Sequence, residues 1–201
     1  VGKSSLFNAL FKTPGLAKTG AKGDACTSVV VRYSAAQDSL EGFNVSIQFL
    51  RPAIIKDSID AHSRVYFQRQ FSTPEQEIDT DVESSEVKQV ETARKFFSLV
   101  FEEDDFKKFF TPRTFQDGSF QDLCLEKSLR RLTQIGMDQS FSKQHFFRDA
   151  EELQASMEGY MTDVPDTECY WHLVDSIEIK CPFSILRHNL EFVDSPGKYF
   201  A

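Results

Sequence analysis

The chain begins Val1-Gly2-Lys3-Ser4-Ser5, the second half of the pattern G-x-x-x-x-G-K-[ST], whose first glycine would lie four residues before Val1. Such a pattern demands a strand-to-helix turn. Backbone N–H groups of a glycine-rich turn, backed by a helix N-terminus, wrap phosphates, the lysine reaches the terminal phosphates, and the hydroxyl serves Mg²⁺. An apolar helix must therefore follow. Ser4 to Phe11 supplies it, with Leu6, Phe7, Ala9, Leu10 and Phe11 apolar, and Pro14 and Gly15 are expected to stop it. At the far end, Leu190-Glu191-Phe192-Val193-Asp194-Ser195-Pro196-Gly197 reads as an apolar strand running into D-x-P-G. A phosphate site bracketed by the two ends of the chain is the expectation.

The bulk composition leaves room for this. A chain of 201 residues with 40% hydrophobic content and 20 Phe has ample material for a core. A net charge of −8 and a pI near 5.1 argue against binding nucleic acid through phosphate neutralisation. The charge is concentrated: residues 73–105 hold 11 acids against 3 bases, so the remainder is neutral. Cys26, Cys124, Cys169 and Cys181 share no metal-binding spacing. With no signal peptide ahead of Val1, reduced thiols and an intracellular location, cytoplasmic or nuclear, are expected. No apolar run approaches the ~20 residues of a membrane-spanning helix.

Between the brackets the texture changes twice. A glycine-punctuated loop, Thr19 to Thr27, leads into a β-branched strand at Val29–Tyr33, and Phe43 to Leu50 alternates as a half-buried strand. Helical spacing then predicts helices over about 55–70 and 85–102. A third runs from a capping-box-like Ser119/Asp122 through Leu125, Leu129 and Leu132 to a C-cap at Gly136. Phe146, Ala150, Leu153, Met157 and Tyr160 predict a fourth helix, starting after Ser142. The acidic run Glu102–Asp105 reads as a solvated face or linker. Strands return at Val174–Ile179 and Leu190–Val193.

Chemistry concentrates at the ends. In nucleotide hydrolases an aspartate at a strand end holds Mg²⁺, usually through water, and a following glycine N–H can meet the γ-phosphate; Asp194 and Gly197 have that spacing. Thr27 stands in a loop before a strand, where a hydroxyl and carbonyl could close over Mg²⁺ and γ-phosphate, although a threonine opening a strand is common. His62, His145, His172 and His188 are scattered and read as packing or solvent-exposed groups. Cys26, beside Thr27, reads as a small buried residue ahead of a redox-sensitive thiol.

Three stretches together resemble the dynamin-type large GTPases, most nearly the nuclear GTPase SLIP-GC-like group: Val1–Leu10, Leu16–Val30, and Trp171–Ile179 continuing to Phe192–Gly197. The resemblance implies an α/β fold, a partial P-loop GTPase sheet with a large helical insertion between strands. Residues 1–201 would be part of a G domain and residues 55–165 the insertion. It implies GTP and Mg²⁺ as ligands and self-association of GTPase domains during hydrolysis. Gly2, Lys3, Ser4, Ser5 and Gly197 would bind nucleotide, Ser4, Thr27 and Asp194 would serve the metal, and Lys3 and Thr27 would be catalytic.

The chain also departs from that pattern. Ser195 replaces the leucine usual in D-L-P-G, and no [NT]-K-x-D guanine-reading motif follows Gly197. Gly197-Lys198-Tyr199 can be encoded with a splice-donor-like GTAAGT, so Lys198–Ala201 is expected to be translated intron. Hydrolysis is accordingly expected of the complete parent and not of this stretch alone. The competing expectations are a non-catalytic helical interaction protein retaining a decayed nucleotide fold, and an ATPase.

Overall fold

A computed structural model of the chain describes residues 3–13, 29–36, 41–71, 80–162, 168–188 and 190–195. In chain order they form α1 (Lys3–Phe11), β1 (Val30–Ala35), β2 (Phe43–Phe49), α2 (Pro52–Phe71), α3 (Thr80–Val100), α4 (Glu103–Phe109) and α5 (Pro112–Gln116). There follow α6 (Ser119–Ile135), β3 (Ser142–Phe147), α7 (Ala150–Met161), β4 (Val174–Cys181) and β5 (Phe192–Asp194), with short 3₁₀ turns at Trp171–Leu173 and Ser184–His188. The protein is mixed α/β, and it divides into a sheet unit, Val1–Leu50 with Met137–Ala201, and a helical unit, Arg51–Gly136.

The sheet unit rests on period-two alternation. Along β2, Phe43, Val45, Ile47 and Phe49 are buried while the residues between them are half-buried. The five strands lie in the order β3-β2-β4-β1-β5. The β1–β4 pair is parallel; β2 runs antiparallel to both β3 and β4, and β5 antiparallel to β1. These registers put Val31, Tyr33, Val45, Ile47, Ile177, Ile179 and Cys181 on one face, all buried. Full burial of each large aliphatic chain there contributes about 1.5–3 kcal/mol. On the opposite face stand Arg32, Ser34, Ser46, Gln144 and Glu178. Arg32 pairs with Glu191 at 2.8 Å, the Gln144 amide donates to Ser46 Oγ at 2.8 Å, and Ser34 Oγ donates to Glu178 at 3.4 Å. One face is dry and the other wet, as suits a sheet rich in antiparallel pairs.

Both helices of this unit use the dry face. Phe11, the last residue of α1, stacks on Phe183 at 4.8 Å and meets Phe192 edge-on at 5.4 Å. Tyr160 of α7 meets Phe49 at 6.3 Å, while Leu153 and Met157 of the same helix are buried. At α7, Gly159 is required by close approach: a Cβ there would collide with the carbonyl oxygen of Glu168, and its own carbonyl accepts the Tyr170 N–H at 2.7 Å.

The helical unit joins the sheet unit through the connection between β2 and β3. The Phe49 N–H donates to Phe141 O at 2.8 Å, and the Gln48 side-chain amide donates to the Ser140 and Phe141 carbonyls at 3.1 and 2.9 Å. Asp138 accepts the Ser140 and Ser142 N–H groups and the Ser142 hydroxyl. An antiparallel pair brings its two inner ends together, so a long insertion can leave and return at one place with little disturbance of the ladder.

Inside the helical unit the i,i+4 spacing is plain. Ile55, Ile59 and Ser63 line α2, and Phe120, Cys124, Ser128 and Leu132 line α6. Aromatic rings fill the interior: Phe97 lies 5.3 Å from both Phe106 and Phe120, Phe110 lies 4.8 Å from Phe120, and Phe67 stacks on Phe115 at 4.0 Å. Offset and edge-on pairs of this kind add about 0.5–1.5 kcal/mol each beyond the area they bury.

Several sequence expectations are corrected. Ser142–Phe147 is a strand, not the start of a helix: it pairs with β2 from Gln48↔Ser142 to Phe43↔Phe147, and its Phe146 is exposed. The helix begins only at Ala150, where Asp149 accepts the Glu152 N–H. The compact helical unit spans Arg51–Gly136. Of the solvated face or linker expected at Glu102–Asp105, the structure gives an exposed helical face: Glu103, Asp104 and Asp105 form the first turn of α4, with Lys107 and Lys108 in its last turn, an arrangement that suits the helix dipole. Ser119 does not cap α6. Gly118 occupies the cap with φ +82°, Ser119 donates N–H and hydroxyl to Asp117, and the capping box lies at Thr111/Thr114. Gly136 does end α6 in the left-handed region, with φ +76°.

The hydroxyls of Ser63 and Ser128 are fully buried without a hydrogen-bond partner. An unmet buried polar group costs about 1–3 kcal/mol. Ser63→Ala and Ser128→Ala should each leave stability unchanged or raise it by about 1 kcal/mol in urea unfolding; a loss of that size would show that the hydroxyls are satisfied.

Candidate functional site

Lys3, Ser4 and Ser5 form the first turn of α1, with no acidic residue in that turn. A helix N-terminus presents unpaired N–H groups and a partial positive charge, so this turn favours an anion and carries no carboxylate of its own to compete for it. The other end of α1 closes in a Schellman arrangement: the Thr13 N–H donates to Asn8 O at 3.1 Å and the Lys12 N–H to Ala9 O at 3.3 Å. Lys12 takes the left-handed residue of that motif, with φ +53°, where glycine is the usual occupant. The Pro14 and Gly15 stop lies outside the described residues.

Asp194 is the last residue of β5 and is 3% exposed. In the ladder it stands opposite Val31, with Phe192 opposite Tyr33. Because β5 runs antiparallel to β1, the chain enters β1 and leaves β5 at the same end of the sheet. The opposite end holds Phe192, where β5 begins, and Phe183, beyond the end of β4. Phe11 packs against both. Thus α1 and β5, which carry the motifs from the two ends of the sequence, meet on one face of one sheet. Gly2, Thr27 and Gly197 lie outside the described residues, as does Cys26.

Tyr33 is the residue that sequence reasoning passed over. It is 1% exposed, and burial, then the Asp194 charge, then Cys181, hold its phenol well above the ordinary tyrosine range. Its only sequence signal is the alternation Val29-Val31-Tyr33, which marks an inward position but not its neighbour.

The other titratable groups are packing groups. His62 stacks on Phe96 at 4.7 Å and burial lowers its pKa; His145 stacks on Phe147 at 5.7 Å and is lowered by burial and then by Lys143. His172 is buried beside Trp171. Burial pushes the Cys181 thiol up to about 12 and also raises that of Cys124, so neither is a reactive thiolate at neutral pH. Among the described residues no group of three or more His, Cys, Asp or Glu could hold a metal, and no helix is long and apolar enough to cross a membrane.

Two measurements follow from this geometry. Lys12→Gly should stabilise the chain by about 1 kcal/mol, since a side chain in the left-handed region costs about 1–2 kcal/mol; an unchanged urea midpoint would show that the lysine is unstrained. Tyr33, Cys124 and Cys181 are acids whose protonated forms are favoured by folding. The stability they contribute is complete below their unfolded pKa values and is lost as pH rises, from about 8.5 for the thiols and about 10 for the phenol. Urea midpoints should fall between pH 8 and 11, and Tyr33→Phe should remove the part above about pH 10; a flat profile would contradict the burial-driven shifts.

No family model matches the chain, and no curated protein sequence matches it.

Proposed function

We propose that this chain is part of a nucleotide-binding domain of the dynamin-type GTPase kind, whose complete form binds and hydrolyses GTP with Mg²⁺. The observation that carries the reading is the meeting of α1 and β5 on one sheet face through Phe11 and Phe192, with Asp194 at the far end of β5. From Lys3 to Phe11 a helix spans about 12 Å. An α1 running back from Phe11 along β5 would bring its first turn to the end where Asp194 stands. These two groups suit the ligands: an acid-free helix N-terminus for phosphate, and a buried carboxylate at a strand end for a divalent cation.

Each group then has one task. Gly2 and the N–H groups of Lys3, Ser4 and Ser5 wrap the phosphates, and the Lys3 ammonium offsets charge on the terminal phosphates. Ser4, Thr27 and Asp194 would hold the metal, and the Gly197 N–H would meet the γ-phosphate. Magnesium, when bound, neutralises charge that develops on the transferred phosphoryl group. Binding is thus largely positioning and electrostatics. Self-association through the GTPase domain would belong to the complete protein.

The test uses the complete domain, this chain together with the flanking sequence of its transcript, titrated with a fluorescent GTP analogue. Mg²⁺-dependent binding is expected. Lys3→Ala should weaken it by about 10- to 100-fold, the worth of a charge-assisted contact, and chelation of Mg²⁺ should weaken it as well. Equal competition by ATP would turn the reading toward an ATPase. Absence of any nucleotide affinity would overturn it in favour of a helical interaction protein on a decayed nucleotide fold.

A further inference from the structure

We propose that the outer edge of β3 is a self-association surface, to which a second copy of this chain adds its own β3, antiparallel and centred on His145. The proposal is independent of the nucleotide reading, because β3 lies at the edge of the sheet opposite β5, the strand that bears Asp194.

The ladder decides what this edge offers. One step past the Gln48↔Ser142 pair, the Phe49 N–H donates to Phe141 O at 2.8 Å. In an antiparallel ladder, opposed residues that bond each other alternate with opposed residues that do not. Phe141, Lys143, His145 and Phe147 therefore turn their backbone groups toward β2, and Ser142, Gln144 and Phe146 turn theirs outward. Ser142 is already served: its N–H donates to Asp138 Oδ1 at 2.9 Å, and its carbonyl accepts the Asp138 N–H at 2.8 Å. Arg148, the next outward position, donates its N–H to Glu152 Oε2 at 3.2 Å. Between these closures, the outward N–H and C=O groups of Gln144 and Phe146 meet no partner among the described residues. Both side chains are exposed, Phe146 at 48%. The edge is blunted at each end and open in the middle, and an open edge is a template for another strand.

A second copy fits that opening in one register. With His145 on the two-fold axis, Gln144 stands opposite Phe146 of the second copy, and Phe146 opposite Gln144 of the second copy. Four backbone hydrogen bonds then use every outward group of these two residues in both chains. A pair centred on Gln144 would instead set Phe146 against Ser142, whose groups are taken. The charges agree with the first register. It places Arg148 opposite Ser142 of the second copy, where the Asp138 carboxylate lies along the outer edge. Symmetry repeats the contact, so two acid–base pairs flank the axis. The two Phe146 rings lie diagonally across it, within reach of each other. Lys143 opposes Phe147 of the second copy, so no like charges are opposed there.

The test is sedimentation equilibrium of the complete domain without nucleotide near neutral pH, joined to oxidative cross-linking. So short an interface predicts a weak dimer, with Kd on the order of 10–100 µM. Gln144→Pro removes an outward donor and spares the bonds to β2; it should raise Kd about 10- to 100-fold. Arg148→Glu should raise it about 5- to 10-fold. His145→Cys should form an intermolecular disulfide that the unmodified domain does not, since the two positions face each other across the axis, and Gln144→Cys should not. Cross-linking decides the matter if Gln144→Pro fails to fold. A domain that stays monomeric to about 1 mM overturns the proposal and leaves the edge to a strand of another protein. A dimer indifferent to both Gln144→Pro and Arg148→Glu, and not linked through His145→Cys, overturns it as well, because another surface then joins the copies. Linkage through Gln144→Cys in place of His145→Cys overturns the register.

Discussion

The dry face of the five-stranded sheet is the constraint on which the sheet unit depends. Because side chains alternate with a period of two, a slip of one residue in β2 would expose Val45 and Ile47 and bury Ser46 and Gln48. Register is therefore fixed by burial, and with it everything that hangs on that face. Phe11 ties α1 down among Phe183, Phe192 and Tyr33, and Tyr160 ties α7 to Phe49. The same register carries Asp194 inward at the last position of β5.

The helical unit obeys a different rule. Its interior is built from rings on α2 to α6 and the segments between them, with Phe97, Phe106, Phe110 and Phe120 each touching the others. It has its own core, and its chain leaves and returns at one place in the sheet unit. The antiparallel pairing of β2 with β3 provides that place, reinforced by Gln48 and Asp138. A helical unit of this length could thus be accommodated in the fold without altering the strand order that positions β5 beside β1.

Strand direction also organises the candidate site. Antiparallel pairing of β5 with β1 brings together Asp194 and Val31, which are far apart in sequence. Motif reading treats such residues as separate hints; a sheet makes them neighbours. Tyr33 enters by the same route: no phosphate-binding pattern includes it, yet the register puts it on the same buried face as Asp194.

Local order was legible in the sequence by itself. The apolar run after Lys3, the alternation through Phe43–Phe49, the four-residue spacing of Phe120, Cys124 and Leu132 and the glycine after Ile135 each express a backbone period or a cap, and α1, β2 and α6 formed where those signals lay. Reading failed where a local period was ambiguous. Phe146 continued the spacing of Ala150, Leu153 and Met157, but pairing with β2 made its segment a strand. The acidic run read as a solvated face or linker is solvent-facing and also forms the first turn of α4, because the same charges favour a helix N-terminus. Which strands pair, in which direction, and which side chains thereby meet were settled only in the folded chain. Contacts such as Phe11 with Phe192, or Val31 with Asp194 across the ladder, join residues far apart in sequence. Their energy comes from shared burial on a surface that exists only once the sheet has formed, and it leaves no period in the sequence to be read.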